Sequence, residues 1–160
     1  MVKNFINIHR FIAATVVMIF VGLNVFLFSD HTEFMDIRIK TNRGSFNIKA
    51  EVAKSFRQQR RGLMYRERLE VGEGMLFIFN KPLTPVFWMK NTLIPLDMIF
   101  IGDDLFIKHI EQKVPPCLPD ETCKLYSPPE PVRYVLEVPG GYCKLFGVNK
   151  DDTMEFINEG

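Results

Sequence analysis

Residues 87–101 read Phe-Trp-Met-Lys-Asn-Thr-Leu-Ile-Pro-Leu-Asp-Met-Ile-Phe-Ile. The stretch is apolar enough for the centre of a sheet, and it holds the chain's only Trp. Yet Lys90, Asn91, Thr92 and Asp97 interrupt it. Burying an unpaired polar or charged group costs several kcal/mol. These four either pair with one another and the backbone, or they line a site. Alternation with period two places Trp88 and Lys90 on one face of a strand over 86–90, and Phe87 and Met89 on the other. Asn91 to Pro95 breaks the strand, and a second strand is expected over 96–101.

The pattern continues on both sides. Upstream, Ile37-Arg38-Ile39-Lys40 and Phe46 to Val52 alternate apolar and polar residues around Thr41-Asn42-Arg43-Gly44. This predicts a hairpin with one solvated face. Ala53 to Arg61 is expected to be a short helix ended by Gly62, with Phe56 and Leu63 facing the core. Glu70 to Gly74 is a turn. Met75-Leu76-Phe77-Ile78-Phe79 is too apolar for an edge strand and is expected to be central; Asn80 to Pro85, with two prolines, is a connection. Downstream, Gly102-Asp103-Asp104 turns the chain into Leu105 to Ile110, where His109 is read as an exposed strand residue. Val132 to Val138 is a strand, Tyr142 to Phe146 a helical turn, and Met154 to Ile157 a last strand. Seven or eight short strands with one or two short helices give a mainly β fold, a small antiparallel barrel or sandwich.

Residues 11–28 form a different kind of segment, 18 residues without a charge. That is about the minimum for a membrane span. Lys3, His9 and Arg10 precede it, and no small-x-small cleavage site ends it. The favoured reading is an uncleaved signal anchor, with a cleaved signal peptide as the alternative. On either reading the chain divides into a cytoplasmic region 1–10, the apolar segment 11–28, a linker 29–35 and a β domain 36–160. Positive charge stays cytoplasmic, so the β domain is expected outside the cytoplasm: periplasmic in a two-membrane envelope, or secreted if the signal is cleaved. Of 20 basic residues, Lys3 and Arg10 lie before the apolar segment, and all 19 acidic residues lie after it, which leaves the exported part at 18 − 19 = −1. Such a balance gives no reason to expect nucleic acid as a partner. Six of the ten prolines lie between 115 and 131. A long loop is expected there, stapled by Cys117 and Cys123 in an oxidising compartment. Cys143 is left as a buried or idle thiol.

Four pieces carry a family resemblance: Arg61-Gly62-Leu63-Met64-Tyr65-Arg66; Gly74 to Phe79; Phe87 to Thr92 with Ile94-Pro95-Leu96-Asp97; and Tyr134 to Glu137 with Gly140 or Gly141. In this order, over about residues 36 to 158, the chain resembles the domain of unknown function 192. The resemblance implies an exported or membrane-anchored β-rich domain and names no activity. Gln59 stands where the family pattern places Arg.

An enzyme needs a nucleophile, base or metal held in geometry. His9, His31 and His109 lie in no recognised motif, and no phosphate loop, Gly-x-Ser-x-Gly or His-x-x-x-His occurs. Asp97 and Glu137 are the weak catalytic candidates, as a carboxylate pair for an envelope hydrolase or as partners of Lys90, Arg61 or Arg133. Arg57, Arg60, Arg61, Arg66 and Arg68 form a basic cluster, read either as a solvated face paired with Glu67 and Glu70 or as an anion or lipid-headgroup contact. The leading reading is a membrane-tethered, non-enzymatic binding module without a cofactor. Trp88, Lys90, Asn91, Thr92, Asp97, Arg61 and Arg66 would contact a small ligand, a glycan or cell-wall fragment first, or an envelope protein. Met64, Met75, Met89 and Met98 are a further, weak candidate set for Cu(I), against the plainer role of core filler.

Overall fold

The computed structural model describes residues 32–118 and 120–157. From Glu33 on they belong to one compact unit. The apolar segment 11–28 and its flanks lie outside the described residues. No helix among the described residues is long and apolar enough to cross a membrane.

The fold is mainly β with two short helices. Strands β1 (Phe34–Thr41), β2 (Gly44–Ala53), β3 (Glu73–Leu83), β5 (Leu96–Ile101), β6 (Ile107–Val114), β8 (Val132–Pro139) and β9 (Thr153–Phe156) form one sheet in the order β6-β5-β8-β3-β2-β1-β9. The sheet curls like a half-barrel until its two edges touch at one end. There Phe106 bridges Thr153, and the Ile107 and Met154 amides donate to the Asp152 and Leu105 carbonyls at 2.8 and 2.9 Å. Strands β4 (Phe87–Trp88) and β7 (Leu125–Tyr126) pair separately as a small ribbon. The helices are α1 (Phe56–Arg61) and α2 (Tyr142–Phe146).

The expected hairpin at 37–52 forms, and the apolar run at 75–79 is central in β3. Because β3, β5 and β8 are covered on both faces, their side chains divide between two cores. Ile37, Ile39, Ile48, Leu76, Ile99, Ile101, Leu136 and Val138 fill the concave side, closed by Tyr142, Val148 and Met154. Met75, Phe77, Met98, Phe100, Val132 and Val135 face the other way, under Leu63, Phe87, Met89 and Tyr126. The period-two geometry of a strand makes this division. Each such side chain, fully buried, contributes about 1.5–3 kcal/mol.

One pairing departs from the antiparallel expectation: β2 and β3 run parallel, with Glu51 opposite Met75 and Ala53 opposite Phe77. A parallel pair needs a crossover connection. Residues 54–72 supply it, and this crossover carries α1 and Leu63 over the second core. The helix starts at Phe56 rather than Ala53, since β2 continues to Ala53 and Ser55 caps α1 in a reciprocal box with Gln58. Phe56 does not face the core: it is 78% exposed. Strand β3 runs on to Leu83 through the expected connection, and β4 keeps only two residues of the strand expected over 86–90. His109 is half-buried, its ring 5.6 Å from that of Phe100 and its Nε2 3.1 Å from Glu111. The 115–131 loop is closed by the Cys117–Cys123 disulfide, and Cys143 is buried.

Two glycines of the recognised pieces permit close approach. A Cβ on Gly74 would lie 2.7 Å from the Glu137 carbonyl oxygen, and one on Gly140 would lie 2.9 Å from Pro95. The second contact seats the start of α2 against β5, where Asp97 completes the joint. Its carboxylate is fully buried on the concave side and accepts three backbone hydrogen bonds: from Lys113 and Gly141 at Oδ1 (2.7 and 2.8 Å) and from Cys143 at Oδ2 (2.8 Å). Lys113 lies where the β5–β6 register shifts, with φ 49°. Helix α2 has no capping side chain at Gly141, so Asp97 does that work from another strand. Hydrogen bonds to a charged group are worth about 1.5–3 kcal/mol, and the donors left behind are costly to strand. Asp97→Ala is therefore expected to lower stability by at least about 3 kcal/mol in urea unfolding, with Asp97→Asn losing less. An alanine variant as stable as the parent would remove Asp97 from this role.

Candidate functional site

The crossover does not seal the second core. Helix α1 is six residues long and the ribbon strand β4 is two, and a cavity of about 270 Å³ remains between them. Its floor is Phe77 and Phe79 of β3 with Glu137 of β8. Leu63, Phe87 and Pro85 wall it, and Gln59, Arg60, Arg61, Val86 and Trp88 stand around its mouth with Thr92.

Local chemistry fixes these pieces. Gln59 Nε2 donates to the Ile78 carbonyl at 2.9 Å and the Ala53 carbonyl at 3.3 Å, which ties α1 to the sheet. Arg60 and Arg61 follow it at the exposed end of the helix. After Gly62 the chain turns tightly, and the Tyr65 amide donates to the Asn91 carbonyl at 2.7 Å. Both residues are left-handed, with φ 62° and 58°. For a bulky residue such as Tyr65 that conformation costs of order 1–2 kcal/mol. Thr92 is thereby turned inward and is 6% exposed. Phe87 packs edge-on against Phe77, ring centres 5.0 Å apart, and Met89 is buried; Trp88 and Lys90 point outward as their spacing predicts, with Lys90 Nζ 5.9 Å from the Trp88 ring. Trp88 is 45% exposed.

Glu137 is the unusual member. Only 5% of it is exposed, and among the described residues no donor or cation meets its carboxyl. Burial alone pushes its pKa from the ordinary 4.5 up to about 8, so near neutral pH it is mostly an uncharged acid with one O–H to donate. Among the described residues it is the sole carboxyl lining the cavity. The cleft outside, about 530 Å³, is bounded by Arg57, Arg60, Arg61, Lys90, Asn91 and Trp88, with no acid among the described residues that line it.

The structure sorts the residues singled out in the sequence. Trp88, Thr92 and Arg61 line the cavity; Lys90 and Asn91 line the cleft beside it. Arg66 is engaged elsewhere, 2.6 Å from Glu51, and Arg68 lies 3.8 Å from Glu70. Asp97 is not at the cavity. It pairs with Val138, while Glu137 pairs with Met98, so the two carboxyls sit on adjacent strands but on opposite faces of the sheet. They form no catalytic pair, and Lys90, Arg61 and Arg133 pair with neither. Met75, Met89 and Met98 are buried in the second core, and Met64 lines the cavity mouth. No group of three His, Cys, Asp or Glu suited to a metal occurs among the described residues. Burial, and then the Asp97 carboxylate, push the Cys143 thiol well above its usual range, so it does not act as a thiolate. In the sequence Arg60 stands out only as a member of the basic cluster, and Gln59 only because it occupies a position where the family pattern places Arg.

Comparison with known proteins places this arrangement. A comparison with curated proteins finds no match. A solved structure from Sinorhizobium meliloti, provisionally described as a transcription regulator, is similar at 35% identity and TM-score 0.73, covering 78% of this chain and 95% of that one. A protein of unknown function from Novosphingobium aromaticivorans is similar at 33% identity and TM-score 0.71, covering 79% and 88%. The model of DUF192, an uncharacterized ACR, matches residues 37–156. The chain belongs to the DUF192 family.

Proposed function

We propose that this domain is a small-ligand binding module whose site is the cavity between α1 and β4. The observation that carries the reading is Glu137, a buried acid without a partner that faces an open apolar cavity. Among the described residues the buried side-chain polar atom left without a partner is Arg133 Nε and not a Glu137 oxygen, so the Glu137 carboxyl opens onto the cavity, where it can hydrogen-bond a ligand. Apolar walls with a few convergent polar groups are the usual make-up of such sites. Trp88 offers an aromatic face at the mouth, as the ring face of a sugar requires, so a glycan or cell-wall fragment remains the first ligand to try. The disulfide supports an oxidising, extracytoplasmic setting, and residues 11–28 would tether the domain to the membrane. The hydrolase alternative is less well supported, because Asp97 lies on the opposite face of the sheet and no other described residue brings a second carboxylate to the cavity.

The single Trp reports on the mouth directly. Titrating Trp88 emission with cell-wall glycans and small aromatic acids is expected to give a saturable change with one class, weakened about tenfold in Glu137→Gln, where the amide donates less strongly. An emission that no ligand class alters would overturn the reading.

Stability carries an independent signature. Because the folded-state pKa of Glu137 is raised above the unfolded value, the folded protein binds the extra proton between about 4.5 and about 8. Stability therefore falls as pH rises through this window and levels off above it. In Glu137→Gln that slope is expected to flatten in urea unfolding measured at stepped pH. Parallel curves for the two proteins would mean that Glu137 titrates normally.

A further inference from the structure

We infer that the ligand of this cavity carries an anionic group, carboxylate or phosphate, on a compact apolar body, and that Arg60 and Arg61 clamp the anion at the mouth. The inference rests on the reading of the cavity as a binding site and puts a compact apolar acid in place of a glycan as its ligand.

Three observations point the same way. First, Arg60 and Arg61 line both the cavity and the cleft outside it, and neither meets a carboxylate among the described residues. Arg66 and Arg68, a few residues on in the same cluster, do have carboxylates beside them. Second, among the described residues the charge at the site has one sign. Lys90 adds to the arginines across the cleft, and Glu137, the one acid among the described lining residues, is uncharged near neutral pH. An ionised Glu137 would repel an anion; the neutral acid instead donates to it or to an oxygen elsewhere on the ligand. Third, the interior beyond the arginines is made of Phe77, Phe79, Phe87 and Leu63, which favour an apolar body over a free inorganic ion. At roughly 30 Å³ per water-sized group, the cavity holds a body of about ten heavy atoms. Forked guanidiniums suit carboxylate and phosphate, and such charge-assisted bonds are the strong ones. A cationic ligand meets like charges at the mouth and an acid that must first lose its proton.

A matched series tests this on the purified full chain, read by Trp88 emission and by calorimetry at pH 7. The probes are 3-phenylpropionate, phenyl phosphate, 3-phenylpropan-1-ol and 3-phenylpropan-1-amine. An anion is expected to bind at least tenfold more tightly than the alcohol, and the amine not to bind. Arg60→Gln/Arg61→Gln is expected to erase the preference for the anion while keeping the alcohol's affinity. Both side chains are exposed, so this variant is expected to unfold in urea as the parent does. Equal affinity for alcohol and anion, or an anion preference that survives the double variant, overturns the anion assignment and leaves the cavity reading standing. Tightest binding by the amine overturns it too. If no member of the series binds, the cavity reading itself falls. Vesicles distinguish the source of the anion. If phosphatidylglycerol vesicles, but not phosphatidylcholine vesicles, displace the bound acid, the group is a lipid headgroup; if neither displaces it, the ligand is a soluble acid. Either result supports the clamp.

Discussion

The Asp97 carboxylate holds together what the strands alone do not. Strands β5 and β8 are covered on both faces: every side chain of β5 is buried, as are most of those of β8. Where β6 slips its register against β5, and where α2 begins without a cap, backbone N–H groups are left without ladder partners. Three of them converge on Asp97 at 2.7–2.8 Å. A neutral side chain of similar size cannot accept three such bonds. The half-barrel thus closes its concave core around an ion whose charge is spread over backbone dipoles, which is the condition for burying it without a counter-ion.

Glu137, one step along the adjacent strand and on the other face, obeys the opposite rule. The second core is covered by short, separately anchored pieces: α1 tied by Gln59, the Gly62–Tyr65 turn tied to Asn91, and the β4–β7 ribbon, whose second strand follows the Cys117–Cys123 disulfide. Short pieces leave gaps, and here the gap falls over Glu137. Two buried carboxyls on neighbouring strands therefore differ completely in chemistry. One is saturated by donors and structural. The other has none and looks into open space.

This division explains what the sequence could and could not disclose. Strands were legible wherever burial has a clear period: the hairpin at 37–52, the apolar run at 75–79, and 96–101, which matches β5 residue for residue. The outward pointing of Trp88 and Lys90 followed from the same rule. The faces of Asp97 and Glu137 were not legible. Register decides them, and a slip of one residue would have put both on the same side. The parallel β2–β3 pairing was hidden as well, because pairing partners are set by the crossover and not by either strand's own pattern. With it went the place of α1, and hence the reason why Phe56 is exposed and why Arg60 and Arg61, rather than Arg66, stand at the cavity.

Stability alone gives no account of Glu137. A Leu or Met at that position would fill part of the cavity and remove the desolvation of an acid, and replacing buried ionisable groups by apolar ones is often neutral or stabilising. The fold does not need the group: among the described residues nothing bonds to its carboxyl, whereas its backbone keeps the ladder with Met75 and Met98. A costly group that supports nothing around it is best explained by something that binds there. The arginines argue likewise. Arg38 and Arg66 lie beside carboxylates, whereas Arg60 and Arg61 have none among the described residues. Two that stay open beside an apolar cavity, with a neutral acid beneath them, have the arrangement of a site prepared for an anion it does not itself contain.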